Sequence, residues 1–252
     1  MSKAVGVIKS ELEGLSVDGL DDFIQEYSSD ERAGVKSIVK KAVKIKEDYY
    51  KEIQRTYDIS AYEREYAQYE YICGIDEVGR GPLIGPVVAG AVILPKDCDI
   101  LYINDSKKLS EAKRIELDKI IREKAVAVGI GVESAEVIDE INILQATYSA
   151  MRKAINNLDV SPTLLLNDAV TIPNVNIKQV PIIKGDAKSI SIGAASIVAK
   201  VYRDRIMEEY AKEHPGYGLE KNKGYGTKEH IEAIKKYGSL PWHRKSFIKN
   251  IG

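Results

Sequence analysis

The chain has 252 residues, 44% hydrophobic and 30% charged, enough for one large soluble domain and an appendage. No apolar run approaches a membrane span and the first residues show no apolar leader core, so no membrane association is expected. Two cysteines, Cys73 and Cys98, make neither a disulfide framework nor a CxxC metal pattern, and the expectation is a cytoplasmic monomer.

The net charge of −1 is unevenly spread. Residues 1–70 carry 11 basic and 15 acidic side chains, whereas from Lys184 onward 14 basic residues face 8 acidic ones. A basic C-terminal third suits a phosphate-backbone ligand, and a solvated helical surface would read the same way.

In chain order, residues 1–66 read as a helical module. Val5, Ile8, Leu12 and Leu15 recur at helical spacing, as do Val35, Ile38, Val39, Ala42, Ile45, Tyr49 and Ile53, with a break at Asp30-Glu-Arg32. Seven tyrosines lie between Tyr49 and Tyr71; they can stack on sugars or bases, or pack the module onto a neighbour. From Tyr71 the period changes. Strands are expected at 71–77, 86–94, 125–132, 163–168 and 178–184, and helices at 110–124, 143–158, 189–213 and 227–237. This alternation implies an α/β sheet covered by helices.

Three of these strands run into acids: Asp76 with Glu77, Asp168, and Asp186 after the Gly185 hinge. A buried carboxylate costs several kcal/mol unless a cation or hydrogen bonds compensate it, so apolar strands with acidic ends make an unlikely plain core. If the ends share one sheet edge, divalent cations would hold the acids together. All-oxygen ligation points to Mg²⁺ or Mn²⁺. Two such ions about 3.5–4 Å apart serve in-line phosphoryl transfer, the chemistry of a nuclease. Because strand neighbours face opposite ways, the strand is expected to end or bulge at Glu77. No GxSxG elbow, HExxH motif or P-loop competes, and Pro82 and Pro86 spoil a dinucleotide-binding turn.

Gly74-Ile-Asp-Glu-Val-Gly-Arg-Gly-Pro-Leu83 resembles the opening signature of the type 2 ribonucleases H, the ribonuclease HII family. The likeness continues in register through Asn104–Ser110, Asp139–Asn142, Lys184–Asp186, Ala194–Val201 with Arg203-Asp204, Lys223–Tyr225 and His243–Phe247. Asp30–Val35 resembles the helical extension of longer members. The resemblance implies a ribonuclease H-like mixed sheet flanked by helices, with an all-helical N-terminal module (1–66) that could bind substrate. The catalytic domain (70–252) would end in a helical C-terminal part. It implies an endonuclease cutting the RNA of RNA–DNA hybrids, and cutting 5′ of single ribonucleotides in duplex DNA to leave 3′-hydroxyl and 5′-phosphate ends.

By the same resemblance Asp76, Glu77, Asp168 and Asp186 are the catalytic, Mn²⁺- or Mg²⁺-binding acids. Gly79, Arg80 and Gly81 are the loop that reads the 2′-hydroxyl, and Tyr225 stacks on the following deoxyribose. Lys107, Lys108, Lys184 and Lys200 are further substrate-binding candidates. Asn167, Ala169 and Asn222 depart from the family pattern, and Trp242 has no assigned role. Two alternatives stay open: a nucleic-acid-binding module without catalysis, and a type 3 relative acting on uniform hybrids, against which the helical N-terminus and the Gly-Arg-Gly loop both count.

Overall fold

The computed structural model describes residues 3–251. The chain divides into two compact units after Tyr57. In the first, helices α1 (Val5–Glu13), α2 (Leu20–Tyr27) and α3 (Ala33–Ile59) bury Ile8, Leu12, Leu20, Phe23, Tyr27, Val35, Ile38 and Ala42 against one another. Helix α2 was not among the expected elements, although Leu20, Phe23, Ile24 and Tyr27 carry the helical period. At eight residues it spans barely two turns. Asp30 sets the entry to α3 by accepting from the backbone N–H and the guanidinium of Arg32.

The second unit opens with α4 (Ala61–Glu65) and continues as β1 (Ile72–Val78), β2 (Val87–Ile93), α5 (Glu111–Lys124), β3 (Ala127–Glu133) and α6 (Ala135–Asn156). It then runs through β4 (Leu164–Asp168), β5 (Lys178–Ile182), α7 (Ile190–Glu213), α8 (Leu219–Asn222), α9 (Lys228–Tyr237) and α10 (Lys245–Ile248). The strands form one mixed sheet in the order β3-β2-β1-β4-β5: β1 is antiparallel to β2 and β2 to β3, while β1 is parallel to β4 and β4 to β5. Helix α6 covers one face around Ile75, Ala89, Ala150, Met151 and Leu165. Helix α7 covers the other, and it lies close. A Cβ at Gly74 would fall 2.0 Å from the Ser191 carbonyl carbon, and one at Gly90 would fall 2.5 Å from the Ala195 oxygen. No helix among the described residues is long and apolar enough to cross a membrane.

Three expectations are corrected. Strand β1 neither ends nor bulges at Glu77: Asp76, Glu77 and Val78 pair in unbroken register with Gly90, Ala89 and Val88. Strand β5 stops at Ile182, and Asp186 sits beyond it in a 3-10 turn (Gly185–Ala187) entered through Lys184 in the left-handed region. Helix α6 begins at Ala135 rather than near 143, with a kink at Asn142 (φ 67°, ψ 163°). The Asn142 side chain accepts from the backbone N–H groups of Leu144 and Gln145, so it re-caps the second half of the helix.

Candidate active site

The register of the sheet brings the acids together. Ile75 on β1 pairs with Asn167 on β4, so the next residues, Asp76 and Asp168, lie side by side and point to the α7 face. Asp168 in turn pairs with Ile182 at the end of β5, and its Oδ1 accepts from the Gly185 N–H at 2.7 Å. That bond fixes the turn carrying Asp186. Glu77, one residue on, starts from the opposite face of the strand, and its charge is nevertheless felt by Asp76 and feels that of Asp168.

The acids repel one another in a poorly hydrated place. Burial, followed by the neighbouring Glu77 charge and by Asp168, raises the Asp76 carboxyl well above its usual range, although a hydrogen bond with Ser196 works the other way. Burial and Asp168 also raise Glu77, against the Arg80 guanidinium 3.1 Å from its Oε1. Asp186 is raised by burial and by the nearby Asp105 and Asp168 charges, with Lys107 opposing. Three carboxylates raised by burial and neighbouring charge, with Asp168 beside them, form a site that gains from added positive charge.

Among the described residues, no three His, Cys, Asp or Glu side chains already converge as a metal-holding group. Their oxygens are otherwise engaged: Glu77 Oε1 by Arg80, Asp168 Oδ1 by Gly185 and Asp76 Oδ1 by the Glu77 N–H. Glu77 Oε2, however, is buried without a hydrogen-bond partner. An orphaned carboxylate oxygen beside two further acids fits a hard divalent cation.

Beside the acids lies the loop 79–86, and its shape is set by two buried arginines. Gly79 has φ +90°, and a Cβ there would fall 2.3 Å from Arg203 Nε. Arg203 donates to the carbonyls of Pro86, Lys223 and Ile84; Arg244 donates to those of Gly79, Arg80 and Gly85. Both side chains are fully buried. With its carbonyls turned inward onto guanidinium groups, the loop presents its outer side to a ligand. Gly81 faces the half-exposed ring of Tyr225, whose Cε1 would lie 3.7 Å from a Cβ at that position.

The lysine candidates separate. Lys107 lies within reach of the Asp186 charge, on a 3-10 turn capped by Asp105. Lys108 and Lys184 are exposed, Lys184 at the hinge before Asp186. Lys200 is committed elsewhere, 2.6 Å from Asp204 in a largely buried pair that Arg114 also approaches. Of the seven tyrosines, Tyr62, Tyr66 and Tyr69 pack against the cluster of Ile72, Leu164 and Ile182, and Lys178 sits over the Tyr66 and Tyr69 rings.

The departures also have structural roles. Asn167 is fully buried and donates to Gln179 Oε1, which holds the β4–β5 connection. Ala169 takes the left-handed conformation (φ 57°) directly after Asp168. Asn222 donates to the Tyr217 carbonyl and accepts from the Gly224 N–H, which shapes the turn into Tyr225. Trp242 stacks on Tyr210 at 4.1 Å and 10°, tying the C-terminal segment to α7.

Three groups important to this geometry had no role in the sequence reading. Ser196 bonds Asp76 and Ser106, Asp105 adds charge beside Asp186, and Glu63 accepts from Ser189 Oγ and the Ser191 N–H at the start of α7. Asp105 lies within the Asn104–Ser110 motif and Ser196 within Ala194–Val201, which is the signal the sequence offers for both; Glu63 has none.

A mixed sheet whose adjoining parallel strands β1 and β4 set Asp76 and Asp168 side by side, next to a glycine loop, defines a nuclease of the ribonuclease H-like fold. The comparisons make the family specific. The model of ribonuclease HII matches residues 73–250, and that of the ribonuclease HII N-terminal domain matches 4–67. Ribonuclease HII of Lachnoclostridium phytofermentans is 60% identical over 251 residues, covering 100% of this chain and 99% of its own. That of Clostridioides difficile is 54% identical, covering 99% and 98%. The solved ribonuclease H2 of Pyrococcus horikoshii OT3 is 27% identical with a TM-score of 0.61, covering 72% of this chain and 96% of its own. The chain belongs to the ribonuclease HII family, endoribonucleases of RNA–DNA hybrids that depend on divalent metal ions.

Proposed function

We propose that this enzyme incises duplex DNA 5′ of a single embedded ribonucleotide, and also cuts RNA in longer hybrids, leaving 3′-hydroxyl and 5′-phosphate ends. The observation that carries this reading is the acid group Asp76, Glu77, Asp168 and Asp186 set beside the arginine-braced loop of Gly79, Arg80 and Gly81, with the Tyr225 ring against Gly81. Mn²⁺ or Mg²⁺ held by the four acids would activate a water and stabilise the leaving alkoxide. The protein's own part is placement. The loop backbone approaches the 2′-hydroxyl where a side chain would block it. The Tyr225 ring packs on the next sugar and favours one lacking its 2′-hydroxyl. Lys107, and less directly Lys108 and Lys184, supply positive charge to the backbone phosphates. The helical N-terminal module adds substrate contacts, and the enzyme works in the cytoplasm as a monomer.

The test is a labelled DNA duplex with one ribonucleotide, incubated with Mn²⁺, Mg²⁺ or EDTA beside a uniform RNA–DNA hybrid. One metal-dependent cut 5′ of the ribonucleotide supports the reading. Cleavage of the hybrid alone would remove the junction-reading role of Gly79–Gly81 and Tyr225 and leave a hybrid nuclease.

A further inference from the structure

Two histidines form a buried contact that the proposed chemistry does not use. His230, on α9, and His243, beyond it, are 0% and 2% exposed, and their Nε2 atoms lie 3.1 Å apart. The partners at the far nitrogens fix the protons. Leu240 N–H donates to His243 Nδ1 at 2.8 Å, so that nitrogen carries no hydrogen and Nε2 must. His230 Nδ1 lies 3.0 Å from the Tyr225 carbonyl, which can only accept, so Nδ1 carries the hydrogen and Nε2 accepts from His243. The bonds therefore run in one direction: Leu240 N–H to His243, His243 to His230, His230 to the Tyr225 carbonyl. Burial holds both rings in their neutral forms, with His243 pushed down to about 4.

This chain of bonds joins the two arms of the substrate site. At one end it terminates on Tyr225, whose carbonyl also accepts from Thr227 N–H. At the other, the backbone around His243 is locked to the recognition loop. Ile84 bridges to His243, Gly85 N–H donates to the Trp242 carbonyl, and Arg244 N–H donates to that of Leu83. We propose that the His230–His243 pair is a positioning device that sets the register between the Tyr225 ring and the Gly79–Gly81 loop, and so determines preference for a ribonucleotide followed by deoxyribose. The inference rests on the reading of Tyr225 as the sugar-packing ring.

The experiment compares kcat/KM on the single-ribonucleotide duplex with that on the uniform hybrid for the full chain and for His230→Phe, Tyr225→Ala and the double variant. His230→Phe keeps a ring of similar volume and removes both polar nitrogens. It should lower the duplex-to-hybrid ratio by on the order of tenfold, and the double variant should match Tyr225→Ala alone, because the histidine acts through the ring. His230→Asn keeps a donor near the place of Nδ1 and should restore most of the ratio. An unchanged ratio in His230→Phe, or effects that multiply in the double variant, would overturn the proposal. If Tyr225→Ala itself leaves the ratio unchanged, the Tyr225 reading fails and this inference with it. Should His230→Phe not fold, ¹⁵N-histidine labelling of the unmodified enzyme decides, since the sequence holds only three histidines. One ring in the Nδ1–H form hydrogen-bonded to one in the Nε2–H form is expected; any other pairing of tautomers refutes the chain of bonds.

Discussion

Removing the Arg244 guanidinium is the most direct probe of how the loop 79–86 is held. Arg244→Met keeps a stem of similar length and leaves the carbonyls of Gly79, Arg80 and Gly85 without their donor. Each buried carbonyl left unpaired costs about 1–3 kcal/mol. An opposing term is present in the native protein, because burial and the adjacent Arg203 charge push the Arg244 guanidinium down to about 9. Relief of that penalty, with partial entry of water, leaves a net loss of roughly 2–4 kcal/mol. For a unit of this size the melting temperature should then fall by roughly 5–15 °C. Arg244→Lys keeps the charge but not the fork, and should lose about half as much. Thermal unfolding of the metal-free protein reads the first effect, and KM on the RNA–DNA hybrid, expected to rise, reads the second. A melting temperature within about 2 °C of wild type and an unchanged KM would show that the loop does not depend on these bonds.

Asp168→Asn should abolish cleavage with the circular dichroism spectrum and melting temperature preserved, since an amide oxygen can still accept from Gly185 N–H; near-wild-type turnover would remove Asp168 from the reaction centre. Asp76 has a folded-state pKa raised above the ordinary 3.8, so its contribution to stability is full below that value and is lost as pH rises through the raised one. Metal-free wild type should therefore lose stability as pH climbs toward neutrality, while Asp76→Asn should flatten this loss and melt higher at pH 7. Added Mg²⁺ should stabilise wild type more than that variant in the same melts. Ala169→Gly relieves a left-handed alanine (φ 57°) and should leave stability unchanged or raise it by up to about 1 kcal/mol, measured by urea unfolding.

The strands and the acids were legible because their signals are local. An apolar run of five to eight residues that meets a carboxylate and then a glycine announces both a buried strand and its end. The Leu164–Asp168 strand kept the apolar run and the terminal carboxylate, with Asn167 inside it and Ala169 in place of the glycine. The bulge expected at Glu77 was wrong for an instructive reason: it assumed that both acids must face one way from the backbone. Strand β1 stays regular, and the Glu77 carboxylate, steadied by Arg80, still lies close enough for its charge to act on Asp76. Helix α6 was read short because Asn142 interrupts its period, and the re-capping of one helix by its own asparagine is not visible in hydrophobic spacing.

The parts that could not be read are those whose partners are backbone atoms. Arg203 and Arg244 lay in recognised motifs, yet nothing in their sequence neighbourhoods states that they bind carbonyls of residues 79–86, more than a hundred positions away. The same holds for His230 and His243, whose proton positions follow only from the Leu240 amide and the Tyr225 carbonyl. These buried donors share one consequence. A carboxylate partner would have neutralised the arginines locally, but carbonyl partners leave two net positive charges beneath the loop that borders the acids. A polyanion approaching the site therefore meets a loop whose interior is cationic and whose shape is already fixed, so little ordering remains to oppose binding. Rigidity of the loop and attraction for phosphate thus have a common origin in the same two side chains.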